Sequence, residues 1–118
     1  MDEIRRISGP RTTNGTEWET EVSAIPSREW LELFKRSDEY FPFALPGRVV
    51  FDRTAATFRS DEQHVPQWIQ SIDRWIASTN ARHLARLDEA SRQRALREEA
   101  ETNEKERIRQ LNERFKDL

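Results

Sequence analysis

Cysteine is absent from the chain. That removes a disulfide framework and a thiol nucleophile, and nothing ties the protein to an oxidising compartment. Glycine is scarce: the three residues are scattered at Gly9, Gly15 and Gly47, which excludes a glycine-rich phosphate loop. Histidine is limited to His64 and His83, neither at metal-ligand spacing with another strong ligand. No apolar run approaches a membrane span, and the opening MDEIRRISGP lacks the apolar stretch of a secretory signal. A dominant charge of one sign is missing too, because a net charge of −2 and a pI near 5.8 give no overall attraction for nucleic acid or anionic lipid. The expectation is a cytoplasmic protein with no membrane association, no cofactor and no metal.

What the 118-residue chain does have is charge, 36% against 35% hydrophobic, and the excess sits mainly in a tail from about Asn80 to Leu118 without glycine or proline. The tail reads as one heptad track. Asn80, Leu87, Arg94, Glu101, Ile108 and Phe115 fall at one seam position. His83, Ala90, Arg97, Glu104, Leu111 and Leu118 fall at the other. The seam is apolar at both ends and ionic in the middle. A parallel pair would stack Arg94 on Arg94 and Glu101 on Glu101, with Arg97 and Glu104 repeating the fault, and like charges on a buried seam are costly. Antiparallel pairing about residue 99 sets Arg94 against Glu104, Arg97 against Glu101, Ala90 against Ile108, Leu87 against Leu111 and His83 against Phe115. Repulsion one way and pairing the other selects an antiparallel homodimer. The rival is a solvated single helix laced by Asp88 with Arg92, Glu101 with Lys105 and Glu106 with Arg109. A hairpin would need a turn in RALREEAET, which holds only helix formers, and Asn103 with Glu106 resembles a helix start. A different protein pairing with the same seam is the remaining alternative.

Ahead of the tail, residues 1–16 carry Gly9, Pro10 and Gly15 among polar residues and read as a flexible N-terminal arm. Trp18, Thr20, Val22 and Ala24 alternate with Glu17, Glu19, Glu21 and Ser23, the period of a strand with one wet face. Pro26 stops it, and Ser27 caps a short amphipathic helix carrying Trp30, Leu31 and Phe34 to about Asp38. After YFPFALPG, Arg48 to Asp52, holding Val49, Val50 and Phe51, and Thr54 to Arg59 read as two strands with Asp52-Arg53 as a tight turn between them, or as one bent strand. Pro66 suits a first helical turn, and Trp68, Ile69, Ile72, Trp75, Ile76 and Thr79 make an apolar stripe that runs on in phase into His83, Leu87 and Ala90. Ser78-Thr79-Asn80 is the weakest helical spot, a place for a kink or a swap hinge.

The expected fold is α+β, with a small three-stranded sheet in the order strand-helix-strand-strand-helix and a long charged C-terminal helix forming an antiparallel coiled coil. Residues 17–81 form the domain, 82–118 continue its last helix, and the third strand lies between the first two, antiparallel to both. Trp18, Trp30, Trp68 and Trp75 share the core.

Three functional classes compete. For an enzyme, His64 beside Asp61 and Glu62 would make an acid–base or metal cluster, but three polar residues ahead of a helix more often cap it. His83 reads as an interface histidine, and Asp38, Glu39 and Asp52 as ordinary turn carboxylates. For nucleic acid, Arg48, Arg53 and Arg59 would line a sheet beside Phe51 and Phe58. For protein binding, Tyr40, Phe41, Phe43 and Leu45 either plug the core or dock a partner. The sequence points to a non-enzymatic dimeric adaptor, regulator or inhibitor that presents two small domains to another protein. A dimeric nucleic-acid-binding regulator using the Arg/Phe sheet surface is the alternative. The expected dimer interface is His83, Leu87, Ala90, Arg94, Arg97, Glu101, Glu104, Ile108, Leu111 and Phe115.

Overall fold

A computed structural model describes residues 3–37 and 44–118. The elements are β1 (Arg11–Thr12), β2 (Glu17–Glu21), α1 (Arg28–Lys35), β3 (Val50–Asp52), β4 (Ala55–Arg59) and α2 (Val65–Phe115), with 3-10 turns at Pro46–Arg48 and Glu62–His64. The fold is α+β. Among the described residues the sheet has four strands, not three, in the order β1-β2-β4-β3, and every neighbour is antiparallel. β4 lies between β2 and β3, as the crossover argument required. Its register pairs Trp18 with Phe58 and Thr20 with Ala56 on the inner face. Glu17 opposite Arg59 and Glu19 opposite Thr57 therefore fall on the outer face.

The added strand comes from the stretch expected as a flexible arm. Asn14 turns the chain: its Oδ1 accepts the amides of Thr16 at 2.9 Å and Glu17 at 2.8 Å, and Gly15 takes φ 80°, a left-handed conformation that costs glycine little. Farther back, the Ile7 amide donates to the Glu21 carbonyl and the Ser23 amide to the Arg5 carbonyl, each at 2.8 Å, extending the pairing to the bridge between Arg6 and Val22. Ile4 is buried in the core. The segment is held because its backbone groups find sheet partners and Ile4 leaves water, gains that outweigh its glycine and proline content.

The β3–β4 hairpin is present, with its turn shifted by one residue to Arg53-Thr54, since Asp52 pairs with Ala55. Arg53 takes φ 57°, the sign that a primed two-residue turn demands at its first central position. Ser27 caps α1, its Oγ accepting the Trp30 amide at 3.1 Å. Over the sheet, α1 and the first part of α2 bring Trp30, Phe34, Trp68 and Trp75 together. Trp30 stacks on Phe34 at 5.4 Å, Phe58 stacks on Trp68 at 5.2 Å, and Trp75 meets Phe34 and Trp68 edge-on. Trp18 packs against this cluster from β2.

The expected weak spot at Ser78-Thr79-Asn80 does not break α2, which continues through it for 51 residues in all. Thr79 turns its hydroxyl back to the Trp75 carbonyl at 2.6 Å, the usual way a buried hydroxyl is satisfied inside a helix. Asn80 is tied down by three bonds. Its Oδ1 accepts the Trp30 indole N–H at 2.9 Å and the Ile4 amide at 3.3 Å, while its Nδ2 donates to the Ile4 carbonyl at 2.7 Å. The chain divides into two compact units, Met1–Leu84 and Ala85–Leu118.

Candidate functional site

The second unit is the tail of α2. From Leu84 to Leu118 every side chain is exposed except Leu111, which is partly covered. Leu87, Ile108 and Phe115 stand 36%, 44% and 48% exposed, against the usual tendency of such side chains to leave water. Of the helix-spaced ion pairs expected from sequence, only Glu106 with Arg109 forms, at 2.7 Å. Glu89 with Arg92, Glu104 with Arg107 and Glu113 with Lys116 also pair. Hydrogen bonds from Arg107 and Arg109 hold the Glu104 and Glu106 carboxyls below their ordinary values and raise the two guanidiniums. Among the described residues Arg94, Arg97 and Glu101 have no ion-pair partner, so the ionic middle of the heptad track is largely unsatisfied within one chain.

His83 departs from its expected role. It is 6% exposed and belongs to the first unit, with Nε2 4.0 Å from the Glu29 carboxylate of α1. The helix stripe is covered by this chain's own α1 one layer further than its period alone reveals, so His83 is removed from the free seam. Leu87, Ala90, Arg94, Arg97, Glu101, Glu104, Ile108, Leu111 and Phe115 remain on it.

The other candidates resolve differently. His64 and Asp61 do meet, Nδ1 to Oδ1 at 2.5 Å, and this bond holds the Asp61 carboxyl below its ordinary value. The same oxygen accepts the His64 amide, so Asp61 caps the short turn that leads into α2. No group of three metal-ligating side chains is found among the described residues. Asp38, Glu39, Tyr40, Phe41 and Phe43 lie outside the described residues. Leu45, from the same loop, is half exposed.

Leu45 lines an open concavity of about 940 Å³ beside Arg11, Arg48, Arg59, Glu17 and Glu19. Sequence reasoning missed this surface because β1 was not expected; the Asn-Gly pair at 14 and 15 was the signal that would have found it. Three arginines and two glutamates share its lining, and Glu17 approaches Arg59 at 3.8 Å. Its described lining contains no histidine to act as a base. The aromatic half of the expected nucleic-acid surface is turned inward: Phe58 is buried, and Phe51 packs edge-on against Trp30 and Phe34. Without exposed rings, the sheet offers no stacking platform at those positions.

Among the described residues no helix is long and apolar enough to cross a membrane. Comparison with known proteins found no matching family model, no matching curated protein and no matching solved structure.

Proposed function

We propose that the protein is a non-enzymatic interaction module, an antiparallel homodimer joined through the α2 tail that presents two small α+β domains to another protein. An adaptor, a regulator and an inhibitor all share this organisation, and a fold does not choose among them. One observation carries the reading. Apolar side chains stand exposed at both ends of the heptad track, at Leu87 and at Ile108 and Phe115, with Arg94, Arg97 and Glu101 between them lacking an ion-pair partner among the described residues. A second copy running the opposite way supplies both kinds of partner. Leu87 meets Leu111, Ala90 meets Ile108, Arg94 meets Glu104 and Arg97 meets Glu101. Glu104 would then be shared between Arg94 of the second copy and its own Arg107.

Light scattering at micromolar concentration should give twice the mass of one 14.1 kDa chain. Reversing both acids, Glu101→Arg with Glu104→Arg, should dissociate the dimer, while reversing Arg94 and Arg97 as well should restore it. A monomeric mass for the native chain, or a dimer indifferent to charge reversal, sinks the reading. The nucleic-acid alternative retains only its arginines as support; retardation of a mixed oligonucleotide pool at low salt, lost at moderate salt, would revive it.

A further inference from the structure

The concavity of the α+β unit runs against the charge of the chain as a whole. Its three arginines and two glutamates leave the described lining with one surplus positive charge, whereas the chain carries −2. Arg11 and Arg48 are exposed and have no ion-pair partner among the described residues, while Arg59 has Glu17. Apolar surface lies in the same hollow, since Val50 is 60% exposed and Leu45 half exposed.

Strand register fixes the spacing between the two kinds of surface. Arg11 pairs with Glu19, Glu19 with Thr57 and Thr57 with Val50, so these four stand in one row on one face of the sheet. Arg11 and Val50 are its ends. Three interstrand steps of about 4.8 Å put them about 14 Å apart, which an extended chain rising about 3.4 Å per residue spans in about four residues. Side chains separated by four residues fall on the same face of an extended segment. Between the ends stand Glu19, in the row, and Glu17, which also lines the hollow. Carboxylates there repel an unbroken polyanion such as a nucleic-acid strand. A peptide whose acids are separated by uncharged residues meets no such conflict.

We infer that this concavity binds an extended acidic segment of another protein, with one carboxylate on Arg11, a large apolar side chain on Val50 and Leu45, and a second carboxylate on Arg48. The inference deepens the interaction role proposed above by naming a surface and a class of partner. It rests on that role only in taking the domain to meet another protein, and it needs no particular pairing of the α2 tail.

Selection of phage-displayed random decapeptides on the full-length chain tests this, with binding of the enriched sequences followed by fluorescence anisotropy. Enriched peptides should carry an acid about four residues from a large apolar residue. Arg11→Glu and Arg48→Glu should each weaken their binding about tenfold or more, and a lysine in place of the peptide's acid should restore binding to the Arg11→Glu chain. Both side chains are exposed, so the fold should survive; if Arg11→Glu disturbs β1, Arg11→Gln removes the charge alone and should still weaken binding. Arg28→Glu changes the net charge equally on α1, outside the hollow, and should bind as the native chain does. Enrichment of no such pattern, peptides indifferent to Arg11 and Arg48, or equal weakening by Arg28→Glu overturns the site. Displacement of the peptides by a mixed oligonucleotide pool overturns it in favour of nucleic acid. Light scattering on the same samples keeps this inference apart from the dimer. A dimer that selects no such peptide loses the site and keeps its seam, and a monomer that selects one loses the seam and keeps the site.

Discussion

Single side chains decide where this fold is tight and where it is strained. Arg53 occupies a left-handed backbone position at the β3–β4 turn, where an L side chain costs about 1–2 kcal/mol and glycine costs little. Arg53→Gly should therefore stabilise the protein by about 0.5–1 kcal/mol after the greater freedom of glycine in the unfolded chain is counted, read from the urea midpoint at constant slope. Asn80 is the opposite case. Removing its amide leaves the Trp30 indole N–H and both backbone groups of Ile4 without their partners, and Asn80→Ala should cost about 1–3 kcal/mol, measured in the same urea titration. Neither role was legible in the chain. Nothing about arginine suggests a positive φ, and Asn80 reads as a weak helix former because its value lies in contacts with residues 50 and 76 positions away.

At the level of elements, strong periodicity was readable and short or shared structure was not. The alternation from Glu17 to Ala24, the Ser27 cap and the stripe from Trp68 to Thr79 each rest on several residues of one pattern, and each element forms, although the strand ends at Glu21 with a bridge at Val22 rather than reaching Ala24. β1 is two residues long and produces no pattern, and the bridge at Arg6 is shorter still. The limit of the α2 stripe was equally hidden. Its phase runs unbroken past His83, and only the position of α1 fixes where the domain stops covering it. The N-terminal segment is the element with the sharpest test. Ile4→Ala should cost about 2–5 kcal/mol, as for any buried large-to-small change. The amides of Ile7 and Ser23, which close this segment onto the sheet, should lose hydrogen-exchange protection together. A loose arm would leave stability unchanged.

For the whole molecule, composition places the excess charge in the tail of α2, and it can go no further because what pairs with that tail lies outside the single chain. The concavity lined by Arg11, Arg48 and Arg59 was invisible for a related reason, since it requires β1 beside β2. A unit of about 80 residues buries a modest fraction of its surface, so stability shared with a partner is of use to it. If pairing of the α2 tail also steadies the domain, melting should depend on mass action. Raising protein concentration a hundredfold should lift the Tm followed by tryptophan fluorescence by several degrees. All four tryptophans lie in the first 84 residues, so this signal reports the domain and not the tail. A Tm independent of concentration would mean that the domains gain nothing from pairing.

The clasp between Ile4 and Asn80 joins residues 76 apart in the chain. On a ribosome adding about 5–20 residues per second, Ile4 waits about 4–15 s for its partner. Through that interval the Ile4 amide and the Trp30 indole N–H lack the hydrogen-bond partner that Asn80 supplies, and the nascent sheet must exist without that fastening. Closure of the domain is therefore a late event in the life of each new chain, set by the arrival of one asparagine.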